Sequence, residues 1–463
     1  MDSRPVEPAT VKRLSRKALW RIMPLAGFLG LVAFLDRISL AFAGPQGMNE
    51  SLAMTATMFG FAVGVFTVGY VLFEVPTAGM ATRAGSRRWI VRILITWGSL
   101  QCLIAFVPNF EVLVVLRFLL GVAEAGFTPT IYYYMTTWFT RAYRPLAFVV
   151  YGAIIQLSSV FGPIVSAGII TAGDALPTAE RFPGWRFLLL VLGVLAVASA
   201  IPARLGIVEK PQEARWLTPV EQQQYTAILA SDATAANIPH QSIGATIRDW
   251  RPWVIGLGFL AINYAAYTIQ VWTPTIVIGF QELFGTDFTI FQSAMLSGIP
   301  AFVAIVWGFA ISWVAGRTGQ SGVLIAGSVT LGMVGCLWTT VAGDPTILIV
   351  ALAMVAMAGI SGTLFMPMVS RVFTGAAAYS AIAIVNSLGA AASFFSPIVT
   401  GFLIDVTGNT NAGFYFIAIL LVAGAGIALL TQRLAARTQL TEGRFDDGAG
   451  RVPPVEPEAE AVG

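Results

Sequence analysis

The sequence predicts an all-α membrane protein with twelve transmembrane helices in two six-helix halves and with both termini in the cytoplasm. Of the 463 residues, 56% are hydrophobic and only 11% are charged, whereas soluble domains carry about 25% charged residues. The hydrophobic residues form blocks of about 20, the length that a helix needs to cross a hydrocarbon core of about 30 Å. Most of the 27 Lys and Arg residues fall on the tails and on alternate loops, as the positive-inside rule requires of the cytoplasmic side.

The apolar spans divide the chain into five parts. A basic cytoplasmic tail covers residues 1–18, and the apolar run after it is too long for a cleavable signal, whose apolar core has about 7–15 residues. The N-terminal half (19–206) and the C-terminal half (252–432) hold six spans each. The predicted spans are 19–43, 57–81, 89–107, 111–136, 145–171, 185–206, 252–279, 291–315, 321–342, 345–369, 376–404 and 412–432.

Two polar segments complete this organisation. The linker loop at 207–251 contains residues 218–221 (TPVE), a capping box with proline at the first helical position, which predicts a short helix that continues to Ile228. The segment 433–463 becomes polar and contains proline and several glutamates, a composition that predicts a disordered cytoplasmic tail.

The two halves contain related sequences. Residues 161–165 (FGPIV) recur as 395–399 (FSPIV), and residues 83–85 (RAG) recur as 317–319 (RTG), both at an offset of 234 residues. A parallel repeat related by an axis along the membrane normal is a known transporter architecture. We therefore expect the halves to share one fold.

Four ionisable residues lie inside predicted spans: Asp36 and Arg37 in the first, and Arg117 and Glu124 in the fourth. Each charge at a helix centre costs about 2.5 kcal/mol or more, so such residues pair, line a water-filled path, or both. The arrangement indicates an ion-coupled transporter of an anion. Ordinary alternatives remain open, namely an ion pair at a helix end for the first two residues and a purely structural pair for the other two.

Comparison of the two repeats shows that these ionisable residues occur in the N-terminal half only. The offset maps Asp36 onto Gln270, Arg117 onto Ala351 and Glu124 onto Ala358. Charge needed only to hold six helices together is expected in both halves, so its presence in one half favours a functional role.

Spacing predicts how these charges interact. Arg117 and Glu124 are seven residues apart and share one helix face, so we expect them to contact each other directly or through water. Arg37 suits a carboxylate because its planar fork donates two parallel hydrogen bonds. We expect Asp36 to hold Arg37 when the site is empty and to release it once protonated.

The motifs of the first four spans resemble those of the major facilitator superfamily, and specifically its anion:cation symporter branch. The bacterial permeases described for tartrate and hydroxyphenylacetate are similar to it within that branch. The resemblance covers all twelve spans and rests mainly on Asp36-Arg37, Gly69-Tyr70, 73–76 (FEVP), 85–90 (GSRRWI), 96–98 (TWG) and 117–126 (RFLLGVAEAG).

The resemblance implies roles for individual residues. It implies that Asp36 and Glu124 carry protons and that Arg37 holds the substrate carboxylate, with Arg117 coupled to the acid two turns on. It further implies pocket positions for Tyr70, Gln156 and Asn386, although Tyr70 also fits ordinary packing and the two amides also fit bonding between helices. Gating at the cytoplasmic ends of the spans is implied for Arg83, Gly85, Arg87, Arg88 and Arg317.

Two departures from the family pattern affect these expectations. The loop after span 2 normally begins with an acid, but this chain has Thr82 there and Gly316 at the corresponding place in the second half. The pair Phe365-Met366 stands where related sugar-acid carriers often show tryptophan. Gating contacts and pocket shape are therefore expected to differ.

Other classes of function are poorly supported. No nucleophile with a base, phosphate loop or metal-ligand spacing occurs, so we expect neither an enzyme nor a cofactor nor a metal. The net charge of +3 gives no reason to expect nucleic-acid binding. We predict a multi-pass protein of the cell membrane, for a bacterium the inner membrane, that acts as a monomer on a small carboxylate and protons. The alternative is a proton-driven antiporter that exports amphipathic compounds.

Overall fold

The computed structural model describes residues 8–234, 243–373 and 375–449, and this part of the chain contains helices but no strand. The helices are α1 (Pro8–Ala43), α2 (Asn49–Ser51), α3 (Ala56–Ala84), α4 (Ser86–Ile104), α5 (Phe110–Glu124), α6 (Phe127–Trp138), α7 (Arg144–Asp174), α8 (Gly184–Gly206), α9 (Pro219–Thr234), α10 (Ile243–Arg248), α11 (Trp250–Ile278), α12 (Phe280–Phe284), α13 (Ile290–Thr318), α14 (Ser321–Val341), α15 (Pro345–Ile360), α16 (Phe365–Val372), α17 (Gly375–Thr407) and α18 (Asn411–Ala449).

Within the described residues, ten helical segments are long and apolar enough to cross a membrane. The two other predicted spans correspond to α4 and to the pair α5 and α6. Helix α4 carries Arg87, Arg88 and Arg92 within its 19 residues, and the fourth span is interrupted after Glu124. The all-helical membrane fold is confirmed, and the count of twelve crossings stays a prediction.

The helix boundaries repeat at the offset found in the sequence. Helix α3 (Ala56–Ala84) and helix α13 (Ile290–Thr318) begin and end 234 residues apart. The discontinuous fourth span, α5 with α6, matches α15 with α16, which are separated by a 3-10 turn at Ser361–Leu364. Both halves therefore use a broken helix at the same place.

The two halves pack closely at one end of the bundle. We call the end at which α1 begins the tail side and the end at which α3 begins the far side. On the far side, the Asp405 carboxylate of α17 accepts hydrogen bonds from the amides of Ala56 and Thr57 at 2.9 and 2.8 Å, filling orphan donors at the start of α3. A Cβ on Gly401 would lie 2.3 Å from the Ala56 carbonyl oxygen, so this contact requires glycine.

The linker helix α9 lies against the N-terminal half. The capping box is confirmed, since the Thr218 and Glu221 side chains each accept a hydrogen bond from the backbone amide of the other residue. The Glu221 carboxylate also pairs with Lys17 at 2.7 Å and with Arg13 at 3.2 Å. The Tyr225 hydroxyl donates to the Trp138 carbonyl at 2.6 Å.

Several predicted boundaries differ from the observed ones. Helix α9 continues to Thr234, beyond the predicted end at Ile228, and α1 already begins at Pro8. Helix α18 continues to Ala449, although the sequence predicts a disordered tail from residue 433. Residues 432–437 (QRLAAR) are good helix formers, so the helix extends past its apolar part. Residues 450–463 of the predicted tail lie outside the described residues.

Candidate functional site

Two glycines bring α3 and α5 into close contact at the centre of the N-terminal half. A Cβ on Gly121 would lie 2.1 Å from the Phe66 carbonyl oxygen, and one on Gly69 would lie 2.3 Å from the Phe118 carbonyl oxygen. Only glycine permits backbones to approach this closely. This crossing explains why the Gly-Tyr and Arg-to-Gly motifs of spans 2 and 4 carry glycine at these positions.

Glu124 forms an ion pair with Arg37 across two helices. A terminal guanidinium nitrogen of Arg37 lies 2.5 Å from Glu124 Oε1. Glu124 is completely buried, and its Oε2 has no hydrogen-bond partner among the described residues. The carboxylate sits at the last residue of α5, where Ala125 is extended and Gly126 has a φ of 85°. The helix break therefore coincides with the buried acid.

Asp36 is held by a different partner from the one that the sequence predicts. Its Oδ2 accepts a hydrogen bond from Trp97 Nε1 at 2.8 Å. Its Oδ1 has no hydrogen-bond partner within residues 8–234, 243–373 and 375–449, and the residue is 1% exposed. The expectation that Asp36 holds Arg37 is wrong for this conformation. Neighbours in a helix point about 100° apart, so Asp36 turns toward α4 while Arg37 turns toward α3 and α5.

Arg117 likewise does not pair with Glu124. It is buried, its Nε donates to the Ala62 carbonyl at 3.2 Å, and its guanidinium lies 5.1 Å from the centre of the Phe66 ring. The predicted Arg117–Glu124 contact is replaced by the pair with Arg37, because α1 places the Arg37 guanidinium against Glu124 while Arg117 donates to the Ala62 carbonyl of α3.

A cavity of about 680 Å³ lies between the two halves. Arg37 is the only lysine, arginine or histidine among the described residues that line it. Six aromatic side chains contribute to the described part of its wall, and three carboxamides reach it. These are Gln156 from α7 and Asn263 and Gln270 from α11. The lining continues on α13 to Ser312, close to the tail-side end of that helix.

The remaining predicted pocket residues fall into different places. The Tyr70 ring centre lies 5.1 Å from the Arg37 guanidinium, so Tyr70 contacts the candidate carboxylate-binding residue. Gln156 lines the cavity, and its role in substrate binding stays a prediction. Asn386 is exposed on α17 and is not among the cavity-lining residues. It lies two turns before Ser393, which bonds Thr67, and therefore on the same helix face but nearer the tail side.

The predicted gating residues lie at the tail-side ends of the helices. Gly85 adopts a φ of 85°, and a Cβ there would lie 2.4 Å from Glu209 Oε1, which accepts the Arg87 amide hydrogen bond at 3.2 Å. The Glu209 carboxylate therefore lies against the loop between α3 and α4. This loop belongs to the predicted loop after span 2, in which Thr82 stands where the family normally has an acid. Arg317 stacks on Trp313 at 3.8 Å. Arg83 and Arg88 are exposed.

Sequence reasoning missed the contribution of α11 to the cavity. Asn263, Gln270 and Thr273 all line it, although only Gln270 is singled out by the sequence, as the counterpart of Asp36. Asn263 and Gln270 are seven residues apart, the same spacing as Arg117 and Glu124. Two polar residues spaced two helical turns apart in an apolar span predict a polar helix face. This pattern could have identified the cavity-lining face of α11 from the sequence.

Comparison with known proteins identifies the family. The model of the Major Facilitator Superfamily matches residues 26–376, and a model described as vacuole effluxer Atg22 like matches residues 377–440. A protein of Agrobacterium vitis named "Putative tartrate transporter" is 32% identical, with coverage of 96% of this chain and 98% of that protein. The "Quinolone resistance transporter" of Acinetobacter baumannii is 30% identical, over 89% of this chain and 93% of the relative.

A solved structure gives the same fold. The inward-facing, occupied crystal structure of a bacterial homologue of the human lysosomal transporter Spinster superposes with a TM-score of 0.63 at 15% identity, covering 94% of this chain and 98% of that one. The crystal structure of a mutant of the nucleoside transporter NupG superposes with a TM-score of 0.62 at 14% identity, over 90% and 99% of the two chains. The chain therefore belongs to the major facilitator superfamily of membrane transporters, and it is not an enzyme.

Proposed function

We propose that the protein takes up a small organic anion together with protons, by alternating access of the cavity to the two sides of the membrane. The anion is a carboxylate, of the class that includes tartrate, aromatic acids and sugar acids. We place the protein in the cell membrane, for a bacterium the inner membrane, with both termini in the cytoplasm. The tail side is then the cytoplasmic side.

The pair between Arg37 and Glu124 carries the proposal. Arg37 is the cation that faces the cavity, and its partner is a carboxylate that belongs to the protein. A substrate carboxylate binds Arg37 by taking the place of Glu124. Substrate and Glu124 therefore compete for one guanidinium, and this competition is the simplest way to couple an anion to a proton.

The proton follows from the burial of Glu124. Once it loses Arg37, an ionised Glu124 is a buried charge without a partner, and such a charge is costly. Protonation removes this charge, so the substrate-bound state retains a proton on Glu124. Loss of the substrate restores the ion pair and releases the proton.

Asp36 and Arg117 have supporting roles in this mechanism. Asp36 is buried and has one oxygen that no described residue hydrogen-bonds, so it offers a second proton site near α4. Arg117 bridges α5 and α3 through the Ala62 carbonyl and keeps positive charge behind the Phe66 ring. One proton with a monoanion moves no net charge, whereas two protons move one charge, worth about 2.3 kcal/mol per 100 mV.

Uptake into proteoliposomes under an imposed inward proton gradient tests the proposal. The purified protein is supplied with a panel of labelled carboxylates, beside a Glu124→Gln variant. We expect the wild type to concentrate at least one acid. Because the variant carries a permanently neutral side chain, we expect it to exchange that acid across the membrane without concentrating it.

Two results would contradict the proposal. If the wild type concentrates no carboxylate, the substrate class is wrong. If Glu124→Gln concentrates the acid as well as the wild type does, the coupling role of Glu124 is wrong. An Arg181→Gln variant, altered in the exposed loop between α7 and α8, serves as the control for general effects of removing or neutralising a charged residue.

Export of amphipathic compounds by proton antiport is the second candidate. The name of the Acinetobacter relative and the mostly apolar cavity lining favour it. Intact cells separate the two functions, because an uncoupler lowers the accumulation of a symported anion and raises the accumulation of an exported compound.

A further inference from the structure

The part of the cavity wall that the C-terminal half forms contains polar groups that the proposed proton coupling does not use. They lie on one face of α11, where Asn263, Tyr267, Gln270 and Thr273 recur at helical spacing and all line the cavity. None of them is charged. They face the same space as Arg37, which comes from the opposite half of the molecule.

Two of these side chains have unused hydrogen-bonding capacity. Thr273 is 3% exposed, and its hydroxyl has no hydrogen-bond partner in the part of the chain that the structure describes. Among the described residues, no protein group hydrogen-bonds the Gln270 carboxamide. A buried polar group without a partner is costly and uncommon in folded proteins, so an unpartnered hydroxyl beside a cavity indicates a partner that arrives with the ligand.

Pro274 adds a third acceptor at the same place. It lies inside α11 and lines the cavity. Because proline has no N–H, it leaves the carbonyl four residues earlier without its helical hydrogen bond. That carbonyl belongs to Gln270, so the backbone and the side chain of this residue both offer hydrogen bonds at one point of the wall.

We infer that Gln270 and Thr273 form a neutral subsite that binds hydroxyl or carbonyl groups of the substrate, while Arg37 binds its single ionised carboxylate. This inference rests on the proposed function and specifies its substrate as a hydroxylated monocarboxylate. A second ionised carboxylate would lie among neutral groups with no cation to neutralise it. The repeat supports this division, since Gln270 occupies the position of Asp36.

Calorimetric binding to the purified full-length protein at neutral pH tests the subsite. The probes are D-gluconate, which has one carboxylate and five hydroxyls, hexanoate, which has the same chain length without hydroxyls, and D-glucarate, which has a second carboxylate. We expect gluconate to bind most tightly. In Gln270→Leu and Thr273→Val, we expect the preference for gluconate over hexanoate to fall about tenfold, the effect of one or two lost hydrogen bonds.

A matched control is available on the same helix. The Thr275 hydroxyl is also buried and has no hydrogen-bond partner among the residues that the structure describes, but Thr275 is not among the residues that line the cavity. We expect Thr275→Val to keep the wild-type preference. Arg37→Gln is expected to weaken gluconate and hexanoate by the same factor, because both present one carboxylate.

The outcomes separate this inference from the proposed function. It is overturned if both α11 variants keep the wild-type preference, if Thr275→Val lowers the preference as much as Thr273→Val, or if glucarate binds more tightly than gluconate. In these cases carboxylates still bind and the proposed function stands. If no acid binds at all, the proposed function and the inference both fail.

Discussion

The two halves of this transporter share helix boundaries but differ in the side chains that they bury. Helices α3 and α13 have boundaries 234 residues apart, and span 4 is broken at corresponding places in both halves. The N-terminal half buries Glu124 at its break, whereas the C-terminal half has Ala358 at the corresponding position. A Cβ on Gly332 would lie 2.4 Å from the Ala358 Cβ. The N-terminal half thus accommodates the Glu124 carboxylate and its partner Arg37 at this position. The C-terminal half packs helices closely at the corresponding position.

This difference teaches that the fold does not require the charges. The C-terminal half repeats these helix boundaries with Ala351 and Ala358 in place of Arg117 and Glu124, and with the neutral Gln270 in place of Asp36. The buried ions of the N-terminal half are therefore better explained by transport than by stability. A buried salt bridge is in any case weak evidence for stability, because its desolvation penalty offsets its attraction.

The strongest test of the comparison places the charge in the half that lacks it. We expect Ala358→Glu to destabilise the protein by about 3 kcal/mol or more, since a charged group in a helix centre costs about this much and the contact with Gly332 leaves no room. Thermal unfolding of the purified protein in detergent measures the effect. Ala358→Ser is the control, and an Ala358→Glu variant that unfolds at the wild-type temperature would contradict the packing argument.

The next test removes the charge from the half that has it. We expect Arg37→Gln to lower carboxylate uptake by about 100-fold, because charge-assisted hydrogen bonds contribute about 1.5–3 kcal/mol each. Initial uptake rates in proteoliposomes measure the effect. Uptake close to the wild-type rate would show that the carboxylate binds elsewhere, and Arg181→Gln, in the exposed loop between α7 and α8, is expected to leave the rate unchanged.

The outcome of the sequence predictions follows the same division between fold and contacts. The sequence predicts span 2 at 57–81, and the observed helix is Ala56–Ala84, because apolar blocks and the repeat are properties of the chain itself. The ion pair of Glu124, in contrast, depends on how separate helices pack and is not a property of one segment of the chain. Spacing along one helix favours Arg117, but the actual partner, Arg37, comes from another helix.

Contacts between helices depend on features that spacing does not reveal. The glycine contacts at Gly69 and Gly121 set how α3 and α5 approach each other, and the orientation of α1 sets which side of it faces Glu124. The same limit explains Asn386, which is a pocket residue by resemblance but lies outside the cavity lining here. Polar residues of α11 occupy the cavity wall instead.

The far-side contact between the halves provides a smaller test. We expect Asp405→Ala to shift the equilibrium about fivefold toward the conformation that is open on the far side, since removal of a helix-capping side chain costs about 1 kcal/mol. Spin labels at Glu50→Cys and Asn409→Cys, with Cys102 and Cys336 replaced by alanine, measure the distance between the halves. We expect a larger population at long distance.

A control with the same chemistry lies within one half. The Asp344 carboxylate accepts hydrogen bonds from the amides of Thr346 and Ile347 and so caps α15, also on the far side, without bridging the halves. We expect Asp344→Ala to leave the distance distribution unchanged. An equal shift in both variants would mean that loss of a cap, rather than loss of an inter-half contact, causes the opening.

The smallest predicted effect concerns the attachment of the linker helix to one half only. The hydrogen bond from Lys17 and the backbone amide of Thr218 hold the pKa of the Glu221 carboxyl below its ordinary value. A depressed pKa contributes stability above the unfolded-state value of about 4.3, and this contribution is lost as the pH falls through the folded-state value. We expect the contact of α9 with α1 to weaken below about pH 4, by no more than about 1 kcal/mol.

The mobility of a spin label at Gln223→Cys on the exposed side of α9 measures this weakening. Glu221→Gln is expected to give the acidic behaviour already at neutral pH, because it removes the charge that pairs with Lys17 and Arg13. Glu213→Gln is the control, since no salt bridge of Glu213 is found in the part of the chain that the structure describes. If Glu221→Gln and the wild type show the same mobility at pH 7, the hydrogen bond from Tyr225 to the Trp138 carbonyl suffices to hold α9. The linker would then stay on the N-terminal half at every pH at which that half is folded.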